Sequence, residues 1–202
     1  MTHDVSTDDL DADVILTHIE RHLGVAARYC KKEYAPTGDC IFYMTFHGTP
    51  VPEASTLVTF GLSRHLLEQP KSPAIRQELM LSCLTSQLDD SLLTVLSTLT
   101  EEVLERHIAM ARNDVVGSRG PIAHHASVQG FLVQSPWCWD IEFERAPHNV
   151  AFPMLLPITP VEERFIRTHG SKQFLEALTD QDIDYLDLRR ESAQVCRGPH
   201  DD

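Results

Sequence analysis

The segment from Leu88 to Ala111 places its apolar residues on one side of a 3.6-residue period, the pattern of an amphipathic helix. Those residues are Leu88, Leu92, Val95, Leu96, Leu99, Val103 and Ala111. Ser or Thr stands at positions 91, 94, 97, 98 and 100, and both have modest helix propensity. Packing of the leucine stripe must therefore hold this helix, so we expect it to lie against a sheet and to end before Gly117.

Segments with strand character lie on both sides of this helix. Aromatic, β-branched or alternating residues predict strands at 40–46, 55–62 and 74–83 before the helix, and at 127–134, 139–143 and 150–156 after it. We expect 55–62 and 74–83 to form a hairpin or neighbouring strands, and Pro153 to lie at an edge or a bulge. One sheet is thus predicted to draw strands from both halves of the chain.

Three further helices are predicted at the two ends of the chain. Apolar spacing indicates a helix at 10–23 that stops at Gly24, and helix formers at 160–167 and 171–178 are separated by Gly170. Thr159 is a candidate N-cap, with Pro160 at the first helical position and Glu162 placed for a capping box. We expect an acidic flexible segment at 1–9, one domain at 10–190 and a flexible tail at 191–202.

Charge limits the partners that a chain of this kind can take. Of its 202 residues, 30 are Asp or Glu and 17 are Lys or Arg, which gives a formal net charge of −13. A negative field disfavours nucleic acid and attracts cationic proteins. No apolar run is long enough for a membrane span, and the first residues are acidic rather than signal-like, so we expect a cytoplasmic protein with no membrane contact. The five cysteines are scattered, without a disulfide or zinc pattern.

Sequence signals for catalysis are weak. Gly61-Leu62-Ser63-Arg64-His65 lacks the second glycine of a nucleophile elbow, because His65 stands in that place. A serine and a histidine two residues apart do not by themselves form a catalytic pair. We predict no enzymatic activity and no cofactor.

Histidine pairs are the candidate metal ligands. His18 and His22 are four apart on the first predicted helix, but the residues between them do not complete a metalloprotease motif. His124 and His125 are adjacent, and on an extended strand they would point to opposite faces. We predict no metal, and we keep a small hydrolase or a metal-dependent enzyme that uses some of the histidines as the alternative function.

Three stretches follow one another along the chain: 56–63 (TLVTFGLS), 78–81 (ELML) and 155–160 (LLPITP), the last followed by Glu162, Glu163 and Gly170. Taken in this order, they resemble the suppressor of fused domain family. Their order and spacing extend the resemblance over roughly residues 10 to 190. The resemblance implies a single α+β domain with a mixed, largely antiparallel sheet flanked by helices, and no catalysis.

The resemblance also implies a function in protein binding. Larger animal relatives restrain a transcription factor whose peptide is held as an added strand, and this chain lacks the additional carboxy-terminal half that helps to clamp it. Compact relatives of this size are typical of bacteria, where they are thought to be immunity proteins that neutralise toxins. An acidic inhibitor suits a basic toxin, since nucleases carry positive clefts.

Two places are predicted to bind the partner. One is the turn with Gly61, Ser63, Arg64 and His65, and the other is the acidic helix start with Glu162 and Glu163. The same residues also have structural interpretations: backbone conformation for Gly61 and the helix cap for Glu162. A subunit that only assembles with its partner is a third possible function, and the sequence does not give the oligomeric state.

Overall fold

The structure is a computed structural model that describes residues 11–34, 38–70, 72–118, 120–144 and 146–195. The predicted flexible segment 1–9 lies outside the described residues, as do residues 196–202 of the predicted tail and residues 35–37 of the turn before the first predicted strand. Among the described residues, no helix combines the length and the apolar character that crossing a membrane requires.

Five helices and ten strands make up the described fold. The helices are α1 (Ala12–Leu23), α2 (Asp90–Arg106), α3 (Ile141–Glu144), α4 (Pro160–His169) and α5 (Ser171–Asp180). The strands are β1 (Arg28–Tyr34), β2 (Asp39–His47), β3 (Ala54–Phe60), β4 (Leu67–Gln69), β5 (Ser72–Gln77), β6 (Met80–Leu84), β7 (Val115–Val116), β8 (Gly130–Gln134), β9 (Val150–Ala151) and β10 (Met154–Ile158).

The strands form one large sheet and one small sheet. The large sheet has seven strands in the order β1-β2-β3-β6-β10-β8-β7, and only the β6–β10 pair is parallel. The small sheet has the order β4-β5-β9, with β5 and β9 parallel. The predicted class is confirmed: a single α+β domain whose mixed sheet is largely antiparallel. The prediction that 55–62 and 74–83 are neighbours is also confirmed, because β3 pairs with β6.

The large sheet carries helices on both faces. On one face α2 buries its leucine stripe against residues such as Leu81 and Phe131, as predicted. On the other face α1 packs through Ile15 and Ile19, and α4 and α5 pack beside it through a separate cluster. Neighbouring residues of one strand serve opposite faces, as the period of two requires: Leu155 faces α2, whereas Leu156 belongs to the cluster under α4 and α5.

Three predicted elements differ from the structure. Residues 139–143 were expected to form a strand, but the segment turns into α3, because Asp140 caps the amide of Phe143 and this aromatic ring is buried. The predicted strand 74–83 is two strands in different sheets, broken at Glu78 and Leu79. The predicted strand 150–156 is likewise divided at Pro153 between β9 and β10.

Other differences concern elements that the sequence concealed. The edge strand β1 has the sequence RYCKKEY, whose charged residues hide its strand character. Helix α2 ends at Arg106 instead of continuing to Ala111, because His107 takes a left-handed conformation with φ 56°. Among the described cysteines all four are free, and burial raises the pKa of the Cys83 thiol to about 12.

Candidate protein-binding surface

The turn after β3 is built around Gly61. Its φ of 111° lies in the region that favours glycine, and a Cβ there would stand 3.0 Å from the carbonyl oxygen of Cys40. This geometry begins a short 3-10 turn over Leu62–Arg64. The predicted need for glycine at this position is thus a matter of backbone conformation.

The turn wraps around the carboxylate of Glu78, which is fully buried. The backbone amides of Gly61 and Ser63 donate to its Oε1 at 2.8 and 3.0 Å, and the amide of Leu62 donates to Oε2 at 3.3 Å. The Thr59 hydroxyl donates to Oε2 at 2.6 Å and also accepts from the amide of Leu79. Glu78 therefore fixes the shape of the turn by collecting its amide groups.

The residues of this turn differ in how much of them a partner can reach. Ser63 is 1% exposed, whereas the side chain of Arg64 is exposed. His65 is partly exposed, with Nε2 3.4 Å from the Asp39 carboxylate. Arg76 donates to the carbonyl oxygens of Ser63 and Arg64, which holds the outer side of the turn. Only Arg64 and His65 of this predicted site reach the surface with their side chains.

The second predicted site starts at the first turn of α4. The capping box is confirmed: the Thr159 hydroxyl accepts from the amide of Glu162, and the Glu162 carboxylate accepts from the amide of Thr159 at 2.8 Å. Glu162 is fully buried and is paired with Arg190, whose guanidinium donates to it at 2.6 and 2.8 Å. The amide of Ala193 donates to the same carboxylate. Glu162 thus fastens the segment after α5 to the start of α4.

Glu163 lies beside this buried pair but faces outward. Its carboxylate accepts from the amide of Ser118 at 2.9 Å and pairs with Arg167 at 2.9 Å. Its side chain is 16% exposed. Of the two acids predicted to bind a partner, Glu163 is the one that a partner could touch.

The histidine pairs have structural contacts of their own. His18 Nε2 lies 2.9 Å from the carbonyl oxygen of Phe143, and His22 lies 3.3 Å from Asp140. Burial lowers the pKa of His18. In the part of the chain that the structure describes, no three His, Cys, Asp or Glu side chains stand close enough together to hold a metal ion.

The expectation that His124 and His125 point to opposite faces was wrong. Their rings lie 3.8 Å apart with nearly perpendicular planes. His125 has φ 62°, so the segment turns instead of extending, and the two side chains come together.

A concave region that sequence reasoning missed lies between α5 and the loop after β8. Its pocket encloses about 460 Å³. We call it the aromatic pocket; it is lined by Arg112, Gln134, Trp137, Leu175, Leu178, Thr179, Asp182, Ile183 and Tyr185. Trp137 is 45% exposed, and its ring meets that of Tyr185 edge to face with centroids 5.7 Å apart. In the sequence, Trp137 directly after Pro136 is the one local feature that marks this pocket. Tyr185 is distant in sequence, so its contact with Trp137 could not be predicted.

Acidic side chains border this pocket. Asp182 belongs to its lining, and an adjoining concavity of about 520 Å³ is lined by Glu176 and Asp180 together with Lys172 and Arg112. Lys172 lies 3.7 Å from Glu176 on the same helix. The two concavities together present three acids, Glu176, Asp180 and Asp182, and two cations, Lys172 and Arg112, beside the aromatic rings.

Comparison with protein families gives the deciding observation. The model of the family described as suppressor of fused protein (SUFU) matches residues 38–191, more than half of the chain. The chain belongs to the suppressor of fused family. A comparison with curated proteins found no significant match.

Solved structures share the suppressor of fused fold. A crystal structure assigned as a SUFU homolog from Neisseria gonorrhoeae FA 1090 has a TM-score of 0.72 at 20% identity, covering 90% of this chain and 96% of that one. A chain of the Sufu-Fu complex has a TM-score of 0.64 at 15% identity, with 90% of each chain covered. Drosophila Suppressor of Fused has a TM-score of 0.64 at 14% identity, and the match spans 90% of this chain but 50% of that one.

Proposed function

We propose that this suppressor of fused domain is a non-catalytic, cytoplasmic inhibitor that binds a basic protein, acting as an immunity protein that neutralises a toxin. Three observations support the proposal. The family is shown by the match over residues 38–191, and one relative of the same fold was solved in the Sufu-Fu complex. The net charge of −13 favours encounter with a cationic partner.

The observation that carries the proposal is the aromatic pocket with its acidic border. Trp, Tyr and Arg dominate the binding energy of protein interfaces, and this pocket presents Trp137, Tyr185 and Arg112 in one concavity. A lysine or arginine of the partner could stack on Trp137 and meet the carboxylates of Asp180 and Asp182. The small excess of acids over cations at this border and the exposed Trp137 support a basic partner.

The partner-binding role of Gly61, Ser63, Arg64, His65, Glu162 and Glu163 stays a second, separate proposal. In it, Arg64, His65 and Glu163 make the contacts, and the three buried residues hold them in place. Substitution of Glu163 by Gln tests this surface without touching the buried pair.

The experiment is affinity capture of a partner from the native cells, followed by binding measurements on charge-matched variants. The double variant D180N/D182N removes two acids at the pocket, and E105Q/E142Q removes two exposed acids elsewhere. Asn suits position 182, because φ there is 50° and Asn tolerates that conformation. We expect the pocket variant to weaken binding about tenfold, W137A to weaken it more, and the control to leave it nearly unchanged.

The identified partner is then coexpressed with the domain, and growth is measured. If the wild-type domain restores growth and the W137A variant does not, the result supports inhibition of a toxin. A stable complex without any effect on the partner's activity would instead support a subunit that merely assembles. Equal weakening by both double variants would contradict the aromatic pocket as the contact. Stoichiometric metal after dialysis, or an activity lost in H125A, would support the enzyme alternative.

A further inference from the structure

The short helix α3 depends on α1 for its position. It has four residues, too few for a helix that is stable by itself. The ring of Phe143 is fully buried and lies against the imidazoles of His18 and His22, with centroids 5.6 and 5.5 Å apart. The planes of the His18 and Phe143 rings are 5° from parallel. Helix α1 thus holds α3 through two side chains that can change their charge.

Hydrogen bonds fix the orientation of these two imidazoles. His18 Nε2 donates to the carbonyl oxygen of Phe143 at 2.9 Å, since a carbonyl oxygen can only accept. Because Nε2 carries this proton, Nδ1 of His18 is the atom that takes up a second proton. His22 Nδ1 lies 3.3 Å from Asp140 Oδ1, which also accepts from the amide of Phe143 at 3.1 Å. One carboxylate therefore serves both the start of α3 and the neighbouring imidazole.

The surroundings of His18 hold more positive than negative charge. Its ring centroid is 4.8 Å from that of His22, whose side chain is 9% exposed. Among the described residues, the charges that act on His18 come from His22 and Arg21 of its own helix and from Asp140 before α3. Its other ring neighbour, Phe152, is neutral. The remaining charged or titratable residues described in α3 and in the turn after it are exposed: Glu142, Glu144 and His148.

These surroundings oppose a charge on His18. Burial is the largest cause that lowers the pKa of His18, and the hydrogen bond to the carbonyl oxygen of Phe143 opposes it. Positive charge on His22 and Arg21 lowers this pKa further, and Asp140 raises it. An unfolded chain protonates its histidines near about pH 6.5, where the folded protein still keeps His18 neutral. The stability that neutral His18 contributes is therefore fully present above about pH 6.5 and is lost as the pH falls through the pKa of the folded state.

The loop before α3 carries both tryptophans of the chain. The ring of Trp139 contacts that of Phe143, with centroids 5.6 Å apart, and its Nε1 donates to Thr49 Oγ1 at 3.0 Å. Trp137, two residues earlier, meets Tyr185 in the aromatic pocket. A change in the hold on Phe143 thus reaches the aromatic pocket through a few residues of one loop.

We propose that His18 is a pH-sensitive anchor: when it gains a proton beside His22, its contact with Phe143 opens and the loop 136–144 loosens together with Trp137. The inference does not rest on the proposed function, since it concerns the loop in the domain alone. If a partner does bind at Trp137, its binding should also weaken in mild acid.

The test is NMR spectroscopy of the complete chain from about pH 8 to about pH 5, a range in which carboxyl groups stay largely ionised. It follows the imidazole signal of His18, the indole signal of Trp139 and the exchange protection of the Phe143 amide. We expect His18 to titrate with a midpoint below about 6.5, the indole signal to follow the same midpoint, and the protection to fall by about threefold or more. A midpoint at or above that value, or signals of Trp139 and Phe143 that do not follow His18, would overturn the proposal.

A matched pair of variants separates His18 from the other histidines. H18Q keeps an amide donor but does not titrate, so the pH-dependent changes at Trp139 and Phe143 should disappear. H169Q is the control: the ring of His169 also stacks on a phenylalanine, Phe165, with centroids 4.5 Å apart, but it is exposed. The changes should persist in H169Q. Changes that persist in H18Q, or that H169Q removes equally, would contradict the anchor.

A third variant tests the charge next to the anchor and does not depend on the folding of H18Q. H22Q removes the neighbouring positive charge and leaves Asp140 to His18 alone, so the midpoint of His18 should rise. The loss of protection at Phe143 should then begin at the same, higher pH. A midpoint that stays in place or falls in H22Q would contradict the proposal that two imidazoles compete for one carboxylate.

Discussion

Two fully buried carboxylates, Glu78 and Glu162, lie under the two sites that the sequence predicted, and they are held in opposite ways. Glu162 is paired with the guanidinium of Arg190, which is itself 7% exposed. Glu78 has only neutral donors among the hydrogen bonds of the described residues: amides of the turn at Gly61 and the hydroxyl of Thr59. One site gives its carboxylate a charged partner, and the other surrounds its carboxylate with neutral donors alone.

The difference corresponds to what each carboxylate connects. Glu78 and Gly61 of the turn that it organises are 17 residues apart, and both lie next to strands that are already paired with each other, β3 and β6. Glu162 and Arg190 are 28 residues apart, and Arg190 also donates to the carbonyl oxygen of Pro157. The ion pair therefore attaches an irregular segment that has no strand or helix of its own to hold it.

Removal of Glu162 has the largest expected effect. In E162L the guanidinium of Arg190 stays buried without a counter-ion, and the free energy of unfolding should fall by about 3–5 kcal/mol. Urea denaturation of the purified protein measures this loss. The double variant E162L/R190M should recover part of it, because no buried charge is left unpaired. A single variant as stable as the wild type would show that the pair is not buried in solution.

Removal of Glu78 has the next largest effect. In E78L the amides of Gly61 and Ser63 lose their acceptor inside the protein, and we expect a loss of about 2–3 kcal/mol. In a double-mutant cycle with T59V the two losses should not add, since Thr59 and Glu78 share a hydrogen bond. Additive losses would contradict the single network that the structure shows.

Only the local half of these two sites could be predicted from the sequence. The Thr159 and Glu162 capping box was readable, because it needs two residues at a fixed spacing and the structure contains it. Arg190 was not linked to it, since nothing in the sequence marks a contact across 28 residues. Glu78 fell inside a predicted strand, where a polar residue normally faces solvent, so its burial and the break after β5 were missed.

The sheet and the pockets show the same limit. Strands with regular apolar patterns, such as β2 and β3, were predicted, but the charged edge strand β1 was not. The aromatic pocket combines Trp137 from one loop with Tyr185 from another, and only tertiary packing brings them together. Periodicity reports which face of an element is buried, and it carries no information about which loops meet.

A smaller effect is expected at the N-cap of α4. T159A removes the hydroxyl that accepts from the amide of Glu162, and also its contact with the Ser192 hydroxyl at 2.8 Å. The usual cost of losing such a cap is about 1 kcal/mol, measurable by urea denaturation. The Glu162 carboxylate keeps its bonds to Arg190 in this variant, so the loss should stay well below that of E162L. A loss as large as that of E162L would mean that the cap and the ion pair form one unit.

The smallest effect concerns pH and separates the two carboxylates by their chemistry. Burial raises the pKa of Glu78 above its ordinary range, against the opposing hydrogen bonds from Thr59, Ser63 and Gly61. The folded protein then holds the Glu78 proton at a pH where the unfolded chain, with a pKa of about 4.3, has released it. This contribution to stability is fully present below the pKa of the unfolded chain, about 4.3, and is lost as the pH rises through the pKa of the folded state. E78Q does not titrate, so the stability of the wild type relative to E78Q should fall as the pH is raised from about 4. Urea denaturation of both proteins across a pH series measures the difference. If the difference rises with pH instead, the amides of the turn outweigh burial, and dipoles alone suffice to hold an ionised carboxylate inside this fold.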